Sequence, residues 1–216
     1  MTPQHRVTTT HVLRRLRSSG INAAIVAIWA ATGGTALAQT KNLPERAIVE
    51  FSFADLKKSY HLLNQAGFEQ RAALRNAALT RLNDTDARVR YAAIYALAIT
   101  ADAKAGANAL AGVLGSGSTD ERLLAAGALA GIGDKRGFPA LIDALDDRTQ
   151  LEYRLPPTLA LHFAKSQLLW FTTQDFGLKS ATSDEQIANT KAAWQQWWQK
   201  ARFSLHRDPK IRKYVE

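Results

Sequence analysis

Side chains able to make or break bonds are few in this chain, and they stand far apart. Beyond residue 38 the imidazoles are His61, His162 and His206, in three unrelated contexts. Metal-ligating histidines recur at short fixed spacings, as in H-E-x-x-H on one helix face. Neither that motif nor a paired-His or acid cluster is present. The chain has no cysteine, which removes disulfides, thiolate metal sites and a lipid anchor on sulfur. Serine-nucleophile motifs and phosphate loops are missing as well. Asp175-Phe176-Gly177 spells a kinase signature, but a kinase needs a Gly-rich loop, a strand lysine and a far longer chain. The triplet reads instead as a helix exit with Gly177 in a left-handed cap. So little of a catalytic constellation can be filled that the expectation is a non-enzyme with no catalytic, cofactor-binding or metal-ligating residue.

Two groups of residues suit binding rather than catalysis. Tyr91 and Tyr95 lie one helical turn apart beside Arg88. Either they pack on a neighbouring helix, or they line a groove, where tyrosine and arginine are common anchors. The second group is the tail RFSLHRDPKIRKYVE, residues 202–216. It carries Arg202, Arg207, Lys210, Arg212 and Lys213, interleaved with Phe203, Ile211 and Tyr214. It reads either as a frayed, solvated end or as a contact for an anionic surface, such as lipid headgroups or an acidic protein face.

The elements that must position these residues are helices, and they repeat. ARVRYAAIYALAITAD (87–102) aligns with ERLLAAGALAGIGD (121–134), placing Arg90, Ala93, Leu97 and Asp102 opposite Arg122, Ala125, Leu129 and Asp134. GANALAGVL (106–114) then matches GFPALIDAL (137–145). A period near 32 with two helical segments per unit marks an α-solenoid. Val89, Ala92, Ala93, Ala96 and Leu97 share one helix face. Thr119 is an N-cap candidate and Gly133 a C-terminal stop for the second unit. Asp84-Thr85-Asp86 and Gly115-Ser116-Gly117-Ser118 supply turns. Upstream, a helix is expected from about Ser52 with Asp55 three residues on, and Leu56, Tyr60 and Leu63 as its apolar stripe. IVEFSF (48–53) is the one strand-like stretch.

The pattern D-x-x-V-R-x-x-A-x-x-A-L followed by G-D and P-A-L-x-x-A-L resembles the HEAT-repeat family, in its short form related to phycobilisome lyase repeats. It appears as Asp86…Val89-Arg90…Ala93…Ala96-Leu97, then as Gly133-Asp134 with Pro139-Ala140-Leu141…Ala144-Leu145. The resemblance covers about residues 68–176. It implies an all-α fold, a short α-solenoid of antiparallel helix pairs with N- and C-terminal capping helices. The third unit departs from the pattern, lacking the Val-Arg start and carrying Pro156-Pro157 at its helix entry. HEAT-type hydroxylases hold iron through His-Glu dipeptides, and none occurs here. Lyase relatives act on tetrapyrroles attached to cysteine, and no residue matches that chemistry.

Trp194, Trp197 and Trp198 fall in KAAWQQWWQKAR (191–202). A capping box from Thr182 to Glu185, or from Ser183 to Gln186, starts a helix running to about residue 205. With Trp194 at zero, Ile187, Ala201 and Leu205 lie within about 20°, Trp198 near +40° and Trp197 near −60°. This predicts a core seam closed against Leu168, Leu169, Trp170 and Phe171, with Trp197 at the exposed edge. Related exported HEAT proteins often end in a T-G-x-x-[FY]-G turn and a W-x-x-W-W helix. Here the turn is Thr173-Gln174-Asp175-Phe176-Gly177, with Gln where the first Gly of that pattern would be.

Residues 1–38 stand apart. Arg6, Arg14, Arg15 and Arg17 precede the apolar run 21–38, which closes on Ala36-Leu37-Ala38. This is the pattern of a secretory signal peptide cleaved after Ala38, its alternative being a retained anchor. Of the 28 basic residues four lie in this leader, so the rest holds 24 against 19 acids. Most of that excess sits in residues 200–216, which argues against a general nucleic-acid footprint. The expected organisation is 1–38 signal peptide, 39–67 N-terminal cap, 68–177 repeats, 178–205 Trp-rich capping helix and 206–216 basic tail. The expected function is an exported, periplasmic or secreted scaffold that binds a protein partner through its solenoid surface. The alternative is a lyase-like or enzyme-accessory protein holding a tetrapyrrole or other apolar ligand.

Overall fold

Capping chemistry sets where each helix of the computed structural model begins and ends; residues 42–100, 105–154, 156–177 and 183–216 are described. Helix α1 spans Leu43–Val49. Ser52 caps a 3₁₀ turn, Phe53–Asp55, and Asp55 caps α2 (Leu56–Glu69), its carboxylate accepting the Lys58 N–H at 3.0 Å. The sequence IVEFSF is therefore not a strand: Ile48 and Val49 end a helix and Phe51 is buried in the turn that follows. Then come α3 (Arg71–Arg81), α4 (Ala87–Thr100) and α5 (Ala105–Ser116). Helix α6 (Thr119–Ile132) opens on a capping box one residue earlier than the sequence suggests. Ser118 accepts the Glu121 N–H, and Glu121 accepts the Ser118 N–H. It closes at Gly133, whose φ of 96° only glycine adopts readily. Asp102, aligned with Asp134 in the repeat, lies outside the described residues.

Helix α7 (Gly137–Asp143) runs into a 3₁₀ turn, Ala144–Asp146. A Cβ on Gly137 would come within 2.2 Å of the Ala126 carbonyl oxygen, so glycine is what lets α7 start directly against α6. Two-residue strands β1 (Gln150–Leu151) and β2 (Thr158–Leu159) pair antiparallel before α8 (Ala160–Phe171). Helix α9 (Asp184–Ala201) starts on the Ser183–Gln186 box. The alternative box start, Thr182, is outside the described residues.

Helices α2, α4, α6 and α8 lie side by side in one layer, and α3, α5, α7 and α9 back them in a second. This is an all-α solenoid of helices packed in pairs, and α1 packs against α2, α3 and α4 at its first end. Two buried clusters meet at α6. Leu124, Ala125 and Leu129 face the first, whereas Leu123, Ala126 and Ala130 face the second. A helix serving both sides must be small and apolar all round, which explains its run of alanines and glycines. Among the described residues no helix is long and apolar enough to cross a membrane.

The second cluster contains the tryptophan seam. Trp194 is 1% exposed and Trp197 8%, whereas Trp198 is half-buried, stacked on Phe138 with ring centroids 5.3 Å apart. The expected order of Trp197 and Trp198 is thus reversed. The reason is the tail, which does not fray: β3 (His206–Arg207) and β4 (Tyr214–Val215) form an antiparallel hairpin. Tyr214 is buried and donates to the Ala130 carbonyl at 3.1 Å, and the Glu216 carboxylate accepts the Trp197 indole N–H at 2.9 Å. The hairpin encloses the side of α9 that helix phase alone leaves open. Phe176 closes the other side, edge-on to Trp194 at 4.9 Å. Gly177 has the expected left-handed φ, 87°, but it sits in a turn beyond the end of α8 rather than at its cap.

Candidate functional site

Across the α4–α6–α8 layer runs a groove of about 1080 Å³. Its floor is made by small residues, Ala98, Gly127, Ala128 and Gly131. Such residues keep the helix surfaces low between taller neighbours. Two of those neighbours are exposed apolar side chains, Trp170 at 71% and Ile211 at 56%. The rest of the rim is basic: Arg71 at the start of α3, Arg154 before α8, and Arg207, Arg212 and Lys213 from the C-terminal hairpin. Among the described residues no Asp or Glu lines the groove.

Three of the five cations are held by a neutral or aromatic group. Arg71 donates to the Ile99 and Thr100 carbonyls, at the negative end of α4. Lys213 donates to the Thr172 carbonyl at 3.2 Å. The Arg154 guanidinium lies 3.9 Å from the centre of the Phe163 ring. Arg207 has an Nε–H shielded from solvent with no acceptor. Arg212 sits at φ 58°, the one described non-glycine residue in the left-handed region. Asp208 builds that turn, accepting the Lys210 and Ile211 N–H groups.

The eight residues proposed from sequence part company here. Tyr95, Arg207, Arg212 and Lys213 come together in the groove. Tyr91 does not, because it is fully buried and cannot reach a partner. Its hydroxyl bonds those of Tyr60 and the Tyr153 carbonyl, within an aromatic cluster that includes Phe51 and Phe53. The Tyr153 ring stacks on Phe53 at 3.7 Å, so the loop before α8 reaches back to the first helices. Burial drives the Tyr91 phenol far above its ordinary pKa, and Tyr153 is pushed up to about 12, by burial first and the Glu152 carboxylate second. Arg88 is bound by Asp86 at the start of α4; that hydrogen-bonded contact lowers the Asp86 carboxylate to about 2. Arg202 folds over Phe203 at 4.5 Å, and neither it nor the exposed Lys210 lines the groove.

Sequence reasoning missed Arg71 and Arg154, and it placed Trp170 in the core seam, whereas the side chain is 71% exposed. A signal for Trp170 was present: it follows Leu168 by two positions, about 200° around the helix. Leu168 and Phe171 face the core, so Trp170 must face away. Among the described residues no three His, Asp or Glu side chains converge as metal ligands would.

The fold defines an α-solenoid. The family model for HEAT repeats matches residues 73–155, spanning α3 to the loop before α8, and supports placing the chain among HEAT-repeat proteins. No curated protein and no solved structure matches the chain.

Proposed function

We propose that this protein is a HEAT-repeat scaffold that binds a protein partner in the α4–α6–α8 groove, and that it works outside the cytoplasm. The observation that carries the reading is the groove itself, which joins exposed apolar side chains to cations that form no ion pair among the described residues. Repeat proteins use extended surfaces of this kind for static recognition of other proteins. Export rests on the basic-apolar leader and its Ala36-Leu37-Ala38 site, which lie outside the described residues. The body is read as an N-terminal cap (39–67), repeats (68–177) and a Trp-rich closing helix (178–205).

A photo-crosslinking residue at Trp170, compared with one at the exposed Gln195 of α9, tests the groove in cells making the protein. A defined protein adduct from position 170 and none from 195 is expected. Equal adducts from both, or none, would reject the groove as the binding face. A bound pigment with no protein adduct would favour the tetrapyrrole-holding alternative. Amino-terminal sequencing of exported protein is expected to begin at Gln39.

A further inference from the structure

We propose that the groove selects an acidic polypeptide segment bearing an apolar side chain, a proposal that rests on the groove being the partner site. Charge accounting is the first argument. Six arginines elsewhere (Arg46, Arg81, Arg88, Arg90, Arg136 and Arg148) each pair with a carboxylate. The five groove cations form no ion pair with a carboxylate among the described residues, and the carbonyls and ring that hold Arg71, Lys213 and Arg154 fix their positions without supplying a negative charge. They come from three separate stretches of chain, around residues 71, 154 and 207–213, so this is not the solvated face of one helix. Like charges brought together repel, and an anionic ligand relieves that repulsion more fully than diffuse counterions do.

Two local features point the same way. Arg207 has no acceptor for its Nε–H, which is shielded and out of a ligand's reach, so nothing within the described residues cancels the charge of that guanidinium. Arg212 occupies a backbone conformation that a non-glycine residue resists, and such strain is characteristic of sites where a side chain is aimed for use. Apolar complementarity comes from Trp170 and Ile211, exposed above the glycine-alanine floor. The volume, about 1080 Å³, lies at the upper end of the roughly 300–1,000 Å³ of small-molecule pockets, and the cations stand on the rim around an apolar floor. A flat bilayer meets the rim but leaves the concave floor unfilled, whereas an extended peptide carrying an apolar side chain lies along the groove and fills it.

The probe is a fluorescein-labelled twelve-residue peptide of Asp and Glu with one central Phe, added to the full chain. It is compared with the same peptide bearing Lys for each acid, with anionic phosphatidylglycerol vesicles and with a single-stranded oligonucleotide. The acidic peptide is expected to bind, to weaken about tenfold between low and moderate salt, and to change Trp170 fluorescence. Arg212→Gly and Arg154→Gln are each expected to weaken binding about three- to tenfold. Glycine suits φ 58°, so Arg212→Gly should leave the melting temperature unchanged or raised, separating a binding role from a structural one. Equal binding of acidic and lysine peptides, indifference to Arg212→Gly, or preference for vesicles or oligonucleotide would overturn the proposal. If Trp170 still crosslinks a protein after such a result, the groove remains the site and only its acidic selectivity falls. Should the crosslink fail too, both readings fall.

Discussion

Burial separates residues of one type into different roles. Trp194 is enclosed by Phe176 and Trp197, and Trp194→Ala is expected to cost about 3–5 kcal/mol in urea unfolding. Trp198→Ala removes a half-buried ring and should cost clearly less; equal losses would contradict the seam as described. The tyrosines set an alkaline limit. Folding raises the Tyr91 and Tyr153 pKa values, so the native state keeps protons that the unfolded state releases above about pH 10. Stability from these groups is complete below that pH and is lost as pH rises towards the folded values. Tyr91 alone contributes a slope of about 1.4 kcal/mol per pH unit there, and Tyr153, partly exposed, adds less. Tyr91→Phe is therefore expected to flatten the loss of stability between pH 10 and 12, measured by urea midpoints.

At the scale of the element, α6 is the member on which both clusters depend, and its first turn is secured by one buried acid. Glu121 is 4% exposed; one carboxylate oxygen accepts the Ser118 N–H and the other accepts Arg90 Nε at 2.9 Å. Arg90 also donates to the Asp84 and Thr85 carbonyls, so a single acid ties the cap of α6 to the turn before α4. Glu121→Gln keeps the shape but removes the charge. It is expected to cost about 1.5–3 kcal/mol, the range for hydrogen bonds to charged groups. Hydrogen exchange should then quicken first in the α6 amides; faster exchange confined to α9 would show that Glu121 does not secure α6.

Across the whole molecule the C-terminal hairpin links stability to the groove. It covers Trp197, buries Tyr214 against α6 and supplies three of the five groove cations. Removing residues 206–216 is expected to cost about 3 kcal/mol or more, because it uncovers a buried aromatic site, and to abolish acidic-peptide binding as well. Arg212→Gly should weaken binding without lowering stability. A truncation that left the unfolding midpoint unchanged would mean that the tail does not close the seam.

Local rules made the helices legible. The spacing of Val89, Ala93 and Leu97, the Gly133 stop and the Ser183–Gln186 box each depend on neighbours a few residues away, and the 32-residue offset only repeats such local patterns. An apolar seam through Trp194 also follows from a 100° step per residue. By itself, then, the sequence determined an all-helical repeat with a tryptophan closure. Only tertiary structure decided which aromatic and basic residues face solvent. Tyr91 is buried because a loop about 60 residues later folds back onto it. Trp197 is inside and Trp198 at the edge because the hairpin covers one flank of α9 and not the other. The groove cations meet from segments some 140 residues apart. Helix phase says which way a side chain points; what stands opposite it depends on chain closure, which no local spacing encodes.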